Sequence, residues 1–512
     1  MQRTYWILIA SLIGAALLVV LLARNESRPL SSDTQAPADQ PAKTPLVLYC
    51  AASNRAAMES IREEYQRETG REVHIQYGPS QTLLSSLTVS GTGDLFLPAD
   101  TSFVDLARDK QLIAEVLPLA SMQAVIAVKQ GNPKNIQRLA DALSPDVRLV
   151  QANPDAAAIG KITREHLSAQ GLWDQCDKAT AAYRTTVNDA ANDVVVGAAD
   201  AAIVYDAVLA TYPGLEAIRV PELDKAISEV ALAVLRSTEN ATAALHFARY
   251  VAARDRGLLH YAKNGFQVHA GDQWNDRPEL SIFAGSMLRP AIDETITAFE
   301  KREGVQVSRV YNGCGILVAQ MKAGQHPDAY FACDREFMNS VPELFPSPID
   351  VSQNELVILV KKGNPFQIRT LSDLAKPGLR VGIGHEKQCA MGWLTQNTLK
   401  ESGVQQEVMA NVTVQTPTGD MLVNQLRAGG LDAAVAYLSN AAGAADTLDA
   451  IQIRGIPCSI AVQPFAIAVD SQQPLLTARL LDTLRSAESK DSFLAEGFRW
   501  YADLKSSSQP EP

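Results

Sequence analysis

The sequence predicts an α/β protein made of two tandem units, each with two α/β lobes around a cleft, behind one N-terminal hydrophobic helix. Three observations predict it. Residues recur in order at long, nearly constant spacing: Ser80 and Cys314, Asp94 and Asp328, Asp100 and Asp334 at 234 residues, then Gly160 and Gly392, Tyr205 and Tyr437 at 232. Within each copy, short apolar runs alternate with amphipathic helical patterns, which is the signature of layered α/β architecture. A single apolar run, Tyr5 to Leu22, stands at the N-terminus.

A period above 200 residues is far longer than that of solenoid repeats, so each copy is a folding unit that buries its own core. The boundaries read as 1–24 for an N-terminal signal anchor, 25–45 for a Pro-rich linker, 46–269 for the first unit, 270–279 for a short linker and 280–505 for the second unit. The apolar run is 18 residues long and reaches about 27 Å as a helix, just enough to cross a bilayer core. Leu21-Leu22-Ala23-Arg24-Asn25 offers no good small-x-small cleavage site and no lipid-accepting cysteine follows, which favours an uncleaved anchor over a removed signal peptide.

Leu46-Val47-Leu48-Tyr49 is a buried strand, followed by a helix whose apolar positions Ala57, Met58, Ile61 and Tyr65 follow a 3.6 period and which ends at Gly70. Ser53 stands where it could cap that helix. A strand (73–77), a second helix from near Ser80 and a third strand (95–97) follow, and the second copy repeats the set. The strand-to-helix turns put Ser53, Ser80 and Ala99 at one end of a parallel sheet, where ligands of open α/β folds bind. Val125 to Val128 and Leu356 to Val360 run into Lys-x-Gly-Asn-Pro turns. They either carry the chain into a second lobe, about 130–221, from which it returns through Val230 to Leu235, or they belong to one larger sheet.

The 46 basic and 57 acidic residues give a formal charge of -11, which argues against nucleic acid as a partner because phosphate neutralisation needs a basic face. An anion remains an acceptable ligand, since backbone N–H groups and helix N-termini can hold one. No nucleophile triad, metal-protease helix or Gly-rich phosphate loop occurs, and the seven histidines are scattered. The sequence therefore reads as a non-enzyme without a cofactor.

Ala51-Ala52-Ser53, Gly78 to Ser80, the run Asp94 to Asp100, Asn153-Pro154 to Gly160 and Ile203-Val204-Tyr205, in that order and spacing, resemble the periplasmic molybdate-binding proteins of ABC importers. These are type II two-lobed solute-binding proteins. The resemblance covers both copies and implies a dehydrated tetrahedral oxyanion between the lobes, with an ABC permease as partner. It implies Ser53 and Ser80 as hydroxyl and backbone donors, Ala99, Ile159 and Val187 as backbone donors, and Tyr205 as a phenol donor. It places the chain on the periplasmic side of the cell membrane, anchored there or released after cleavage. A donor-only pocket suits a fully ionised oxyanion and disfavours protonated phosphate, which would bring a donor without an acceptor.

Plainer roles compete at each position: N-caps for Ser53 and Ser80, a core ring for Tyr205, and turn or capping carboxylates for Asp94 and Asp100. Gln81 departs from the family's usual glycine. In the second copy the corresponding cleft positions are Ser286, Cys314, Cys333, Met391, Gly419 and Tyr437, with Met287 matching Ser53 by strict offset. A Cys314–Cys333 disulfide, a soft-metal or thiophilic site on Cys314, Cys333 and Cys389, and inert buried thiols are the three readings of its cysteines. A membrane-tethered sensor or interaction module is the alternative to a delivery protein.

Overall fold

The computed structural model describes residues 44–506, and its contacts group the chain from Pro45 onward as one compact unit. The anchor read at 1–24 and nearly all of the linker lie outside the described residues. Among the described residues no helix is long and apolar enough to cross a membrane.

The first half contains strands β1 (Leu46–Ala51), β2 (Val73–Gly78), β3 (Leu95–Leu97), β4 (Ile113–Lys129), β5 (Leu149–Ala152), β6 (Thr180–Arg184), β7 (Ala201–Tyr205), β8 (Leu215–Ile218), β9 (Ile227–Leu235) and β10 (Gln267–Val268). They hydrogen-bond in the order β2-β1-β3-β9-β4-β7-β5-β6, with β8 and β10 added to β4. β1, β2 and β3 are parallel, β9 runs antiparallel to β3, and β4 runs antiparallel to β9. Both readings of the Val125–Val128 region therefore hold a part of the result: the strand path is continuous, yet β4 serves two lobes. Its first part, to Gln123, pairs with β9, and from Ala124 it pairs with β7 and β8. The chain crosses between lobes along β4 and comes back along β9.

The second half repeats this with β11 (Glu279–Gly285), β12 (Gln306–Asn312), β13 (Ala329–Phe331), β14 (Ile349–Lys361), β15 (Val381–Gly384), β16 (Val412–Thr416), β17 (Ala433–Tyr437), β18 (Leu448–Gln452), β19 (Ile460–Ile467) and β20 (Arg499–Trp500). The order β12-β11-β13-β19-β14-β17-β15-β16 matches that of the first half strand for strand. Each half buries its own apolar cluster, as central parallel strands covered by helices must. The apolar runs β7 and β17 are buried at every position.

The halves are joined by more than the linker. Glu303, fully buried, accepts from Arg249 Nη1 (3.0 Å) of the first half and from Arg479 Nε (3.0 Å) and Nη2 (3.1 Å) of the second. Asp272, in the linker, accepts from the N–H groups of Leu475 (2.8 Å) and Leu476 (2.9 Å), capping the helix Pro474–Leu484.

Candidate functional site: a donor-lined cleft in the first half

Four chain segments start at the carboxyl ends of parallel strands and converge between the two lobes. A 3-10 turn, Ala52–Asn54, follows β1, and the helix Ser80–Ser90 follows β2. The helix Ala158–Ala169 comes after β5, and the helix Val187–Val195 after β6. The first three starts have no side-chain cap. The fourth is capped by Thr186, whose hydroxyl accepts from Asp189 N (3.2 Å). The N–H groups of Ile159 and Val187 find no protein acceptor among the described residues. Unmatched N–H groups at these two helix starts create a positive potential without any cation.

All six residues predicted for the first cleft line one cavity of about 20 Å³: Ser53, Ser80, Ala99, Ile159, Val187 and Tyr205. None of its lining residues is charged. Such a volume takes one water-sized group, so a larger occupant must ease the lobes apart. The lobes touch directly at this point, where Gln81 N donates to Ala156 O (3.1 Å). Gln81, which departs from the family's usual glycine, supplies this cross-cleft bond through its backbone.

Three expectations change in detail. Ser53 is not a helix cap: it sits within the 3-10 turn, Asn54 occupies the N-cap position, and the Ser53 hydroxyl is buried with no partner among the described residues. Ser80 does not cap its helix either, being its first residue after Pro79. Ala99 reaches the cavity, but its N–H donates to Ser80 Oγ (3.1 Å). It orients the Ser80 hydroxyl, which keeps its proton free to donate, and has no donor of its own left. Tyr205 is fully buried, with its hydroxyl 2.7 Å from Ser228 Oγ. Burial, ahead of the opposing Ser228 hydroxyl, pushes the phenol well above its usual value, so it stays protonated as a donor.

Asp94 and Asp100 are turn and cap carboxylates. Asp94 accepts from Val47 N (2.8 Å), and Asp100 caps the helix Thr101–Asp109 through Ser102 N (2.9 Å). Sequence reasoning missed Thr186 and Ser228. Thr186 could have been found from the Thr-x-x-Asp capping box it forms with Asp189. Ser228 gives no such signal, because it meets Tyr205 only through the pairing of separate strands.

The second cleft is built on the same elements with different chemistry. Met287 and Cys314 replace the hydroxyls of Ser53 and Ser80, and Cys333 stands at the place of Ala99. The strand register puts Ala461 opposite Asn354 where Ser228 lies opposite Met122, so Tyr437 has lost its hydroxyl partner. Its own hydroxyl is buried and unpartnered among the described residues. As Ala156 O does for Gln81 N in the first cleft, Gln388 O accepts from Gly315 N (3.0 Å), and here also from Ile316 N (3.3 Å), at the start of the helix Cys314–Lys322. Met391 is buried, Ser286 half-buried, and Gly419 abuts Asn440, whose Oδ1 would lie 2.1 Å from a Cβ there.

All six cysteines are free thiols, so the Cys314–Cys333 cross-link expected as one reading is not formed in this structure. Their sulfurs lie 2.7 Å apart. The three-cysteine metal site is not assembled: no group of three or more metal-ligating side chains occurs among the described residues. Cys389 turns its sulfur to the carbonyls of His385 (3.5 Å) and Thr416 (3.6 Å) instead. Burial pushes its thiol up to about 12.

Residues 46–267 and 280–499 each match the family described as bacterial extracellular solute-binding protein. The chain belongs to that family, twice over, and is a solute-binding protein and not an enzyme. The molybdate-binding protein ModA of Mycobacterium tuberculosis H37Rv is 31% identical over 259 residues, covering 50% of this chain and 96% of that protein. ModA of Escherichia coli K12 is 26% identical over 205 residues, 38% of this chain and 79% of its own. Among solved structures, the Azotobacter vinelandii periplasmic molybdate-binding protein aligns with a TM-score of 0.38 at 15% identity, covering 44% of this chain and all of that one.

Proposed function

We propose that the first unit captures a tetrahedral oxyanion, molybdate or tungstate, outside the cytoplasm and hands it to an ABC permease. The observation that carries this reading is the convergence, from both lobes, of the Ser53 and Ser80 hydroxyls, the Tyr205 phenol and the free N–H groups of Ile159 and Val187 on one uncharged cavity. An ionised oxyanion offers only acceptors and matches such a lining. Protonated phosphate would press a donor against donors. The relation to ModA proteins supports the same ligand class. Donors from both lobes make closure around the ion a hinge motion along β4 and β9.

The second unit has exchanged two hydroxyls for sulfur. A thiol is a weak donor, so this cleft no longer serves an oxyanion. Isothermal calorimetry on the purified chain tests the assignment. Molybdate and tungstate should bind with sulfate weaker and phosphate weakest, and no heat from any oxyanion would refute it.

A further inference from the structure

We propose that Cys314 and Cys333 are a redox-active dithiol of the second cleft, oxidised reversibly to an intramolecular disulfide by a small disulfide compound. The two sulfurs are 2.7 Å apart, and Cys333 N donates to Cys314 Sγ at 3.1 Å. Both side chains are buried at the mouth of parallel strands, and Cys314 is the first residue of a nine-residue helix whose N-cap, Gly313, contributes no side-chain cap. A thiolate on Cys314 is held by the Cys333 N–H.

The site is built as a set. A Cβ at Gly285 would lie 2.0 Å from Cys333 Sγ and 3.1 Å from Cys314 Sγ, so the sulfurs occupy the room that a side chain at 285 would need. Strand pairing aligns Gly285 with Asn312 as it aligns Ala51 with Gly78, so the matching position of the first unit carries a methyl. Alanine, serine and alanine at 51, 80 and 99 have become glycine, cysteine and cysteine at 285, 314 and 333. The gain of two sulfurs is matched by the loss of one methyl at the point where they meet.

The two thiols also differ in acidity. Burial raises Cys314, but the hydrogen bonds from the Cys333 thiol and N–H outweigh it and hold Cys314 below an ordinary thiol. The bond to Cys314, followed by burial, holds Cys333 well above one. Cys314 is thereby the attacking sulfur and Cys333 the resolving one.

In the reaction, the Cys314 thiolate attacks one sulfur of the small disulfide, breaking its S–S bond and releasing one thiolate, which takes up a proton. Cys333, giving up its proton, then attacks Cys314 Sγ in the mixed disulfide and releases the second small thiol. Two electrons pass from the protein dithiol to the oxidant. Access requires the lobes to part at the Gln388 bonds to Gly315 and Ile316.

The test uses the full chain and oxidised glutathione. Reduced protein is incubated with it under native conditions, quenched in acid, denatured, alkylated with N-ethylmaleimide and weighed intact. Of the six thiols, two should be lost, so six minus two leaves four adducts and no retained glutathione. Trypsin should then yield fragments 310–322 and 323–335 joined by a bond that dithiothreitol breaks. In C333A the glutathione should remain on Cys314. Six adducts on the wild-type chain, or a cross-link between other fragments, would overturn the proposal.

Discussion

Ser53 illustrates what binding asks of a single residue. Its hydroxyl is buried without a partner among the described residues, a state that costs about 1–3 kcal/mol unless something fills it. In Ser53→Ala that cost disappears, so stability without ligand should hold or rise. Molybdate affinity should fall about tenfold to a hundredfold, the loss of one hydrogen bond to a charged group of about 1.5–3 kcal/mol. Thermal melts with and without molybdate separate the two effects. Gly160 tests backbone approach: a Cβ there would lie 2.3 Å from Ala152 O and 2.7 Å from Pro154 N. Its counterpart Gly392 meets the His385 backbone at 2.5 Å in the same way, which is the physical reason the glycine recurs at constant spacing. Gly160→Ala should cost about 1–3 kcal/mol in urea unfolding and weaken molybdate binding by displacing Ile159.

At the scale of elements, what could be read from the sequence followed from periodicity and what could not depended on distant pairing. The helix ending at Gly70 was legible because its buried positions keep a 3.6 period and Gly70 takes the left-handed conformation that ends it. Strand β4 was legible only over Val125–Val128, its fully buried stretch. Its earlier part, with Pro118 and mixed burial, shows no clean alternation, and its pairing with β9 is irregular at two points. The six positions of the first cleft were nominated by the resemblance to molybdate-binding proteins, but the partners that orient them, Ser228 for Tyr205 and Ala99 N for Ser80, depend on contacts no local pattern encodes. The linker is a similar case: Asp272 lies in a stretch legible only as a short connection, yet it caps a helix that starts 202 residues later, at Pro474. Asp272→Ala should cost about 0.5–2 kcal/mol, as for other lost N-caps, and Asp272→Asn, which keeps an acceptor, should recover most of it in the same denaturation series.

For the whole molecule, the buried Arg249–Glu303–Arg479 triad ties the two units together. Glu303→Gln would leave two buried guanidiniums facing a neutral amide, and breaking such a group costs about 3–5 kcal/mol. The pH dependence follows from Glu303. Burial alone would raise its carboxyl, but Arg479 and then Arg249 outweigh that and hold it below its usual value. A depressed carboxyl stabilises fully above its unfolded value of 4.5, and the contribution is lost as pH falls through the lower folded value. Denaturation of wild type and E303Q should therefore differ most near neutrality and converge in strong acid. A fixed pairing of units also means that one hydroxyl-lined cleft and one sulfur-lined cleft travel as a single body.

The central claim is that only the first cleft holds an oxyanion. Its most direct measurement is the stoichiometry of molybdate binding to the intact chain by calorimetry, repeated with the Ser53→Ala, Ser80→Ala double variant. One ion per wild-type chain, with binding abolished or weakened at least a hundredfold in the variant, is the predicted result. Two equivalent ions per chain, or undiminished binding by the double variant, would contradict it.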